Sequence, residues 1–246
     1  MKKHLATIFF LCLLMSCQTE SKLTFEPTQL LGENCNGCPK IEINIPNALD
    51  DSPVAETINI ALQEEIISIL SFNDDETIDS VDKALQSFTA SYKELKAKFP
   101  DEVQWEAEID GTVVYEDENI LTLMLNSYSF TGGAHGYAST SYLNFDKRKG
   151  TELENSELFD DLEGFEDFAE TKFRLQEKIP KHKNINATGF MFDGDSFHLS
   201  NSIGYTKDGL KLIYNQYEVA SYADGPIVLT LPYGEINTYL KRKVKH

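Results

Sequence analysis

Residues 119–146, NILTLMLNSYSFTGGAHGYASTSYLNFD, contain two alternating runs separated by a glycine-rich segment. Apolar and polar side chains alternate with period two on both sides of that segment, which is the pattern of half-buried β-strands. Gly132 and Gly133 can adopt the positive φ angles that tight turns between strands require. The stretch therefore predicts an antiparallel strand pair, and the flanking sequence decides what covers it.

The preceding segment predicts one strand, two helices and further strands. KIEINIP (40–46) alternates, and Pro53 suits the first turn of a helix whose apolar residues recur at helical spacing. A second helical stripe runs from Ile78 to Phe99 and ends before Pro100. VQWEAEI and TVVYEDE then alternate again, with a bulge or turn expected at Asp110–Gly111.

The following segment predicts a helix from about residue 155, strands from FMFDGDSFHLS (190–200) onward, and a short closing helix. Asp208–Gly209 is typical of a hairpin turn. Helices grouped beside a mostly antiparallel meander indicate an α+β fold with helices packed on the sheets. We expect two subdomains that share a core, an N-terminal α+β domain with the GGAH loop (40–150) and a C-terminal α+β domain (151–246).

The first sixteen residues predict an export signal, because a basic start precedes an apolar run too short to span a bilayer permanently. Leu14, Met15 and Ser16 before Cys17 resemble a bacterial lipobox, which implies cleavage before Cys17 and its acylation. Residues 1–16 are then a lipoprotein signal peptide, and residues 17–39 a tether and CxxC turn. Gln18 in place of aspartate favours the outer membrane of a bacterial cell envelope.

The formal net charge of the 246-residue chain is −18. Such a field repels nucleic acid and attracts basic partners, and it also serves solubility. Two basic islands stand out against this background, Lys172–Lys183 and Lys241–His246.

Cys35 and Cys38 form a CxxC pair, which has three interpretations. Outside the cytoplasm a structural disulfide that pins the first strand is the simplest. A reactive redox pair is the second, although a strand rather than a helix follows the motif. A zinc site is the third, but a second ligand pair is missing nearby, so we expect no metal and no cofactor.

The GGAH segment itself allows several functions. A phosphate-binding loop would place its glycines before a helix, whereas here a strand follows. His135 lacks the neighbouring histidine of a zinc motif. His135 with Asp224 could act in catalysis, since triad partners are distant in sequence, but no GxSxG elbow is present. A histidine that fixes the loop by hydrogen bonding remains the simpler interpretation.

A family resemblance joins this loop to the C-terminal third. SYSFTGGAHGYASTSYLNFD and the later run DGL…YEVA…YADGP…LPY together resemble two domains of unknown function that occur as a pair in bacterial envelope proteins. The pair is found in the extracytoplasmic half of the RsiV anti-sigma factor, which senses lysozyme, and before the catalytic domain of the PdaC peptidoglycan deacetylase. The resemblance covers residues 40–240.

The resemblance implies a non-catalytic envelope binding module for a basic cell-wall-lytic protein such as lysozyme, or for peptidoglycan. The rings and carboxylates around YADGP suit sugar or basic side-chain recognition, or simply form a bulged corner. The alternative function is a cell-wall hydrolase or esterase that uses His135 with acidic residues. The expected binding residues are Gly132, Gly133, His135, Tyr217, Glu218, Tyr222 and Asp224.

Overall fold

The computed structural model describes residues 22–71 and 78–245. Its first sheet has six strands that lie side by side in chain order. β2 and β3 run parallel, and the other neighbouring pairs run antiparallel. The strands are β1 (Phe25–Leu31), β2 (Lys40–Ala48), β3 (Glu106–Glu116), β4 (Ile120–Phe130), β5 (Tyr137–Asp146) and β6 (Thr151–Leu153).

Two helices connect β2 to β3, as a parallel pair requires a crossover. They are α1 (Pro53–Leu70) and α2 (Val81–Lys98). The side chains of Ser52 and Ser80 cap their N-termini by accepting hydrogen bonds from backbone N–H groups one turn on. The helices bury their apolar stripes against one face of the sheet, around Ile43, Ile58 and Phe88.

The second unit begins after β6. Helix α3 (Leu162–Gln176) packs beside a three-stranded antiparallel sheet of β7 (Ser202–Thr206), β8 (Gly209–Tyr214) and β9 (Ile227–Leu231), and α4 (Tyr233–Ile236) follows. Phe173 lies at the centre of this second unit. Its ring makes edge or tilted contacts with the rings of Phe190, Phe192, Phe197 and Tyr214.

The two units meet on the face of the first sheet that α1 and α2 do not cover. Asn144 of β5 donates to the carbonyl of Ile203 in β7 at 2.7 Å. A Cβ at Gly204 would lie 2.3 Å from the Tyr142 ring, so this glycine permits the close contact. The predicted α+β class is confirmed, and the buried apolar side chains of the described residues form two clusters.

The structure differs from the sequence-based prediction in three places. β1 is a strand that the sequence analysis did not predict. β3 continues through Asp110–Gly111, and its irregularity lies between Val113 and Tyr115. Residues 190–200 form turns and extended loop rather than strands, because Phe192 and Phe197 point into the aromatic cluster around Phe173 and leave no ladder to join.

The strand register defines two ends of the first sheet. Phe25, Ala48, Glu116, Leu121 and Phe145 lie at one, which we name the Phe25 end. Leu31, Lys40, Glu106, Phe130 and Tyr137 lie at the other, the Phe130 end. Within the described residues, no helix has the length and apolar character to cross a membrane. The predicted signal peptide and Cys17 lie outside the described residues.

Candidate functional site

The GGAH segment connects β4 to β5 at the Phe130 end. Gly132 and Gly133 adopt φ values of 97° and 89°, in the left-handed region that favours glycine. A Cβ at Gly136 would lie 2.5 Å from the Tyr128 ring, so the chain passes close over that ring. This path leaves the side chain of His135 exposed.

His135 contacts two tyrosines of the second unit. Its ring stacks on Tyr222, with centroids 3.8 Å apart and planes 16° apart. Nε2 lies 3.3 Å from the Tyr217 hydroxyl, and Nδ1 lies 3.4 Å from the carbonyl of Gly136. Both contacts are hydrogen bonds when Nδ1–H donates to the carbonyl and Nε2 accepts from tyrosine. We name His135, Tyr217 and Tyr222 the aromatic cluster.

Tyr217 is held in an unfavourable backbone conformation, with φ at 67°. Glu218 supports this turn, because its carboxylate accepts the backbone N–H groups of Asn215 at 2.8 Å and Asn201 at 3.2 Å. The side chain of Tyr217 is nevertheless 55% exposed. A strained backbone that presents a large ring to solvent is typical of functional positions.

Tyr222 begins a single 3₁₀ turn, Tyr222–Asp224. The Ser221 hydroxyl donates to the Asp224 carboxylate at 2.6 Å, and the Ser221 N–H donates to the same oxygen at 3.2 Å. Gly225 then ends the turn with φ at 71°. The YADGP motif therefore builds a tight corner that positions the Tyr222 ring.

The structure brings together three of the predicted binding residues, His135, Tyr217 and Tyr222. Glu218 and Asp224 adjoin them, but their carboxylates bond to the local backbone and to Ser221. Gly132 and Gly133 shape the loop. The role of these residues in binding stays a prediction. His135 has hydrogen-bond partners that do not include Asp224.

Sequence analysis did not identify Asn215, which holds the two units together beside the cluster. Its side-chain oxygen accepts the N–H of Thr140 at 2.8 Å, and its nitrogen donates to the carbonyl of Thr140 at 3.2 Å. The amide group thus pairs with the edge of β5 as a strand would. Tyr137 also lies nearby, and burial together with the charge of Glu218 raises the pKa of its hydroxyl.

Cys35 and Cys38 form a disulfide. Cys35 is exposed, whereas Cys38 is buried. Among the described residues, Glu33, Cys35 and Cys38 can bring three ligand atoms within 4.8 Å of one another. Two of those atoms are the bonded sulfurs, which leaves one carboxylate, so the oxidised pair offers no set of metal ligands.

Two protein families match the chain in succession. Residues 33–138 match the family described as Deacetylase PdaC, and residues 153–234 match the family described as a protein of unknown function, DUF3298. The first match contains His135, and the second contains Tyr217 and Tyr222. The aromatic cluster is therefore assembled from both. No curated protein matches the sequence.

Two crystal structures share the fold. A DUF3298 family member from Bacteroides fragilis NCTC 9343 is 19% identical, with a TM-score of 0.68, over 90% of this chain and 94% of its own. A DUF3298 family protein from Pseudomonas aeruginosa PAO1 is 20% identical, with a TM-score of 0.63, over 91% of this chain and 97% of its own. Each neighbour therefore spans both units of the molecule.

Proposed function

Since this chain carries a PdaC domain followed by a DUF3298 domain, we propose that it is a lipid-anchored, non-catalytic binding module. The two domains indicate a cell-envelope-associated module. The lipobox-like sequence before Cys17 supports acylation there, and Gln18 supports the outer membrane. The ligand that we propose is a basic, lysozyme-like protein that binds at the aromatic cluster.

The observation that carries this proposal is the stacking of exposed His135 on half-buried Tyr222 beside exposed Tyr217, with one ring from the first domain and two from the second. Tyrosine offers a large apolar contact area together with a hydroxyl, and it is enriched where proteins bind one another. Rings held by a strained turn and a capped corner lose little conformational entropy on binding. The cluster is thus preorganised.

Electrostatics supports a basic ligand. The net charge of −18 attracts cations over several ångströms and speeds their encounter. The carboxylates of Glu218 and Asp224 lie next to the rings in the chain and add negative potential there.

The contacts favour binding over the hydrolase or esterase alternative. A catalytic base must reach the proton that it abstracts, and an orienting carboxylate must reach the base. His135 instead bonds to the Tyr217 hydroxyl, and Asp224 bonds to Ser221. These contacts, together with the exposure of His135 and Tyr217, therefore support a recognition surface.

Calorimetric titration tests the proposal. Residues 18–246 are titrated with a basic muramidase at low and physiological salt, with cytochrome c as an unrelated basic protein. We expect a one-to-one complex with the muramidase that survives physiological salt. Tyr222→Ala is expected to weaken it at least tenfold, about 1.4 kcal/mol, because the stacked ring is lost.

The control variant is Leu175→Ala, which removes a side chain that is 75% exposed on α3. It should leave the affinity unchanged. Equal affinity for both basic proteins, or an affinity that Tyr222→Ala does not change, would overturn the proposed ligand and site. Binding to peptidoglycan fragments alone would replace the protein ligand by a glycan.

A further inference from the structure

We propose that the Cys35–Cys38 disulfide is a redox site that accepts two electrons from an external dithiol by thiol–disulfide exchange. Three features of the molecule support it. The fold already closes this turn without the disulfide, the two cysteines differ in exposure, and a carboxylate lies beside the buried sulfur. The site shares no residue with the aromatic cluster, and its chemistry is independent of the ligand that binds there.

The disulfide lies in the connection between β1 and β2, whose ends are already held by hydrogen bonds. The two strands form an antiparallel ladder up to this connection, and the N–H of Gly32 donates to the carbonyl of Ile41 at 3.0 Å. Within the turn, the N–H of Cys38 donates to the carbonyl of Cys35 at 3.2 Å. A cross-link between residues three apart also removes little chain entropy. The disulfide therefore adds little to the fold, and these backbone hydrogen bonds hold the turn when it is reduced.

The two cysteines differ in their access to solvent. Cys35 is exposed, whereas Cys38 is 2% exposed, and its carbonyl accepts a hydrogen bond from the side-chain amide of Gln104 at 2.9 Å. In thiol–disulfide exchange a thiolate attacks one sulfur while the other sulfur leaves, and access helps to decide which sulfur is attacked. Cys35 therefore supplies the attacked sulfur and Cys38 the leaving sulfur.

A carboxylate lies beside the leaving sulfur. Oε2 of Glu33 is 3.7 Å from Sγ of Cys38, and the same oxygen accepts a hydrogen bond from the ammonium group of Lys93 in α2 at 2.9 Å. A sulfur in a disulfide carries no proton, so the contact with Cys38 becomes a hydrogen bond only when this cysteine is reduced to its thiol. Glu33 is therefore placed to return a proton to Cys38 on reduction and to receive it on oxidation.

The exchange proceeds in two steps. In the first, an external thiol loses its proton to solvent and its sulfur bonds to Sγ of Cys35. The Sγ–Sγ bond breaks, and its electron pair leaves on Cys38, which takes a proton through Glu33. In the second, the other thiol of the external dithiol loses its proton, attacks its partner sulfur in the mixed disulfide and releases Cys35, which is then protonated. The external dithiol is oxidised to a disulfide, and the two cysteines gain its two electrons and two protons.

Reduction by glutathione under native conditions tests the proposal. Residues 18–246 include every described residue and contain Cys35 and Cys38 as their only cysteines. The protein is equilibrated with glutathione buffers of increasing reduced fraction, quenched in acid and analysed for thiols by mass spectrometry. We expect full reduction without unfolding, with a fall in melting temperature of less than about 5 °C. A pair that glutathione reduces only in denaturant would overturn the proposal, because it would be a structural disulfide.

Single-cysteine variants test which sulfur is attacked. Cys38→Ser and Cys35→Ser each leave one thiol, and both proteins are treated with glutathione disulfide, which reverses the first step. The native Cys38→Ser variant should form its glutathione adduct at least tenfold faster, since only Cys35 is exposed. In urea the two rates should become equal. Equal rates in the native proteins would contradict the assignment of the attacked sulfur.

Glu33→Gln tests the proton step. Its control is Glu94→Gln, because Glu94 is also an exposed carboxylate that bonds to a lysine of α2. The reduced proteins are oxidised with glutathione disulfide, and the rate at which Cys38 closes the disulfide is measured against pH. We expect Glu33→Gln to slow this step at least threefold at pH 7, and to match the wild type above about pH 8.5, where a thiol ionises without a base.

The Glu94→Gln variant should follow the wild type at every pH. A closure rate of Glu33→Gln at pH 7 that equals or exceeds the wild-type rate would overturn the role of the carboxylate. These measurements involve no muramidase, so their failure and the failure of the proposed ligand are distinguishable.

Discussion

The junction between the two domains has a closed part and an open part, and the contrast separates buried polar contacts from ring contacts that solvent can reach. In the closed part, Asn144 and Asp146 of β5 are buried and bonded to Ile203 and Arg242. In the open part, His135 meets Tyr217 and Tyr222 in reach of solvent. A buried polar group in the closed part that loses its hydrogen-bond partner lowers the stability of the fold. A ring in the open part can instead exchange a contact within the protein for a contact with solvent or a ligand.

Chain topology produces this difference. Near the Phe25 end, β6 pairs with β5 and the second sheet lies over its outer face. Near the Phe130 end, β6 has ended, and the side chains of Asn215 and Gln216 bond to the backbone of Thr140 and Ala138. The loops of both domains therefore lie side by side where the second unit no longer covers the outer face of the first sheet. A junction of this kind leaves rings of both domains in contact at its rim.

The largest effect is expected from Arg242→Met in the closed part. Asp146 and Arg242 have side chains that are 7% and 11% exposed, so the variant leaves a buried carboxylate without its cation. We expect a loss of about 3 kcal/mol in the free energy of unfolding, measured by urea denaturation. Muramidase affinity should not change. A loss under 1 kcal/mol would contradict the assignment of this pair to the closed part.

The control is Arg148→Met, since Arg148 has a side chain 68% exposed and 4.0 Å from Glu118. Exposed pairs of this kind contribute about 0–1 kcal/mol. A similar loss for both variants would indicate a general charge effect.

The pair also predicts a pH dependence. Burial raises the pKa of Asp146, but the hydrogen bonds from Arg242 and from the backbone N–H groups of Lys149 and Arg148 outweigh it, so the pKa lies below its ordinary value of 3.8. The stabilisation is therefore complete above pH 3.8 and is lost as pH falls through the lower folded-state pKa. Denaturation curves should show the wild type and Arg242→Met converging in acid. A constant difference down to pH 2 would contradict this.

A smaller effect is expected from Asn144→Ala. Its side chain is buried, donates to the carbonyl of Ile203, and accepts from the Thr122 hydroxyl at 2.8 Å. The variant leaves both partners unsatisfied, and we expect a loss of about 2 kcal/mol. A double-mutant cycle with Thr122→Val should show coupling of about 1 kcal/mol by thermal unfolding. Zero coupling would show that the two side chains act independently.

The smallest effect on stability is expected in the open part. Tyr217→Gly relieves the backbone strain of the positive φ but also removes the contacts of the ring. These effects oppose each other, so the free energy of unfolding should change by less than about 1 kcal/mol. Muramidase affinity should fall at least tenfold. Tyr239→Ala, which removes a partly buried tyrosine that packs on Phe165 and Phe168, should show the reverse pattern. A large loss of stability in Tyr217→Gly would place this residue with the closed part.

The repeating parts of this fold were predictable from sequence. Period-two alternation identified β2, β4 and β5, and the apolar stripes identified α1 and α2. Each of these elements buries one face against the same core, so its apolar residues recur with a regular period. β1 was missed, since Pro27 and exposed polar residues obscure its alternation. Residues 190–200 were assigned to strands, although the rings of Phe190, Phe192 and Phe197 fill the aromatic core around Phe173.

The residues of the candidate site were selected from the sequence, but their arrangement was not predicted, and their role in binding stays a prediction. The family resemblance selected GGAH and YADGP. His135 and Tyr217, which form a hydrogen bond in the structure, are 82 residues apart in the sequence. Stacking of His135 on Tyr222 depends on how the two domains dock. The hydrogen bonds of the Glu218 and Asp224 carboxylates likewise depend on local turns. The sequence alone therefore did not show that these carboxylates bond within the protein rather than to a ligand.

Hydrogen exchange of the complex with a basic muramidase tests most directly whether the open part of the junction is the binding surface. Slowed exchange is predicted in residues 131–136 and 216–225, with the closed part around Asn144 unchanged because it is already protected. Slowed exchange confined to α1 and α2, or spread evenly over the acidic surface, would contradict the account.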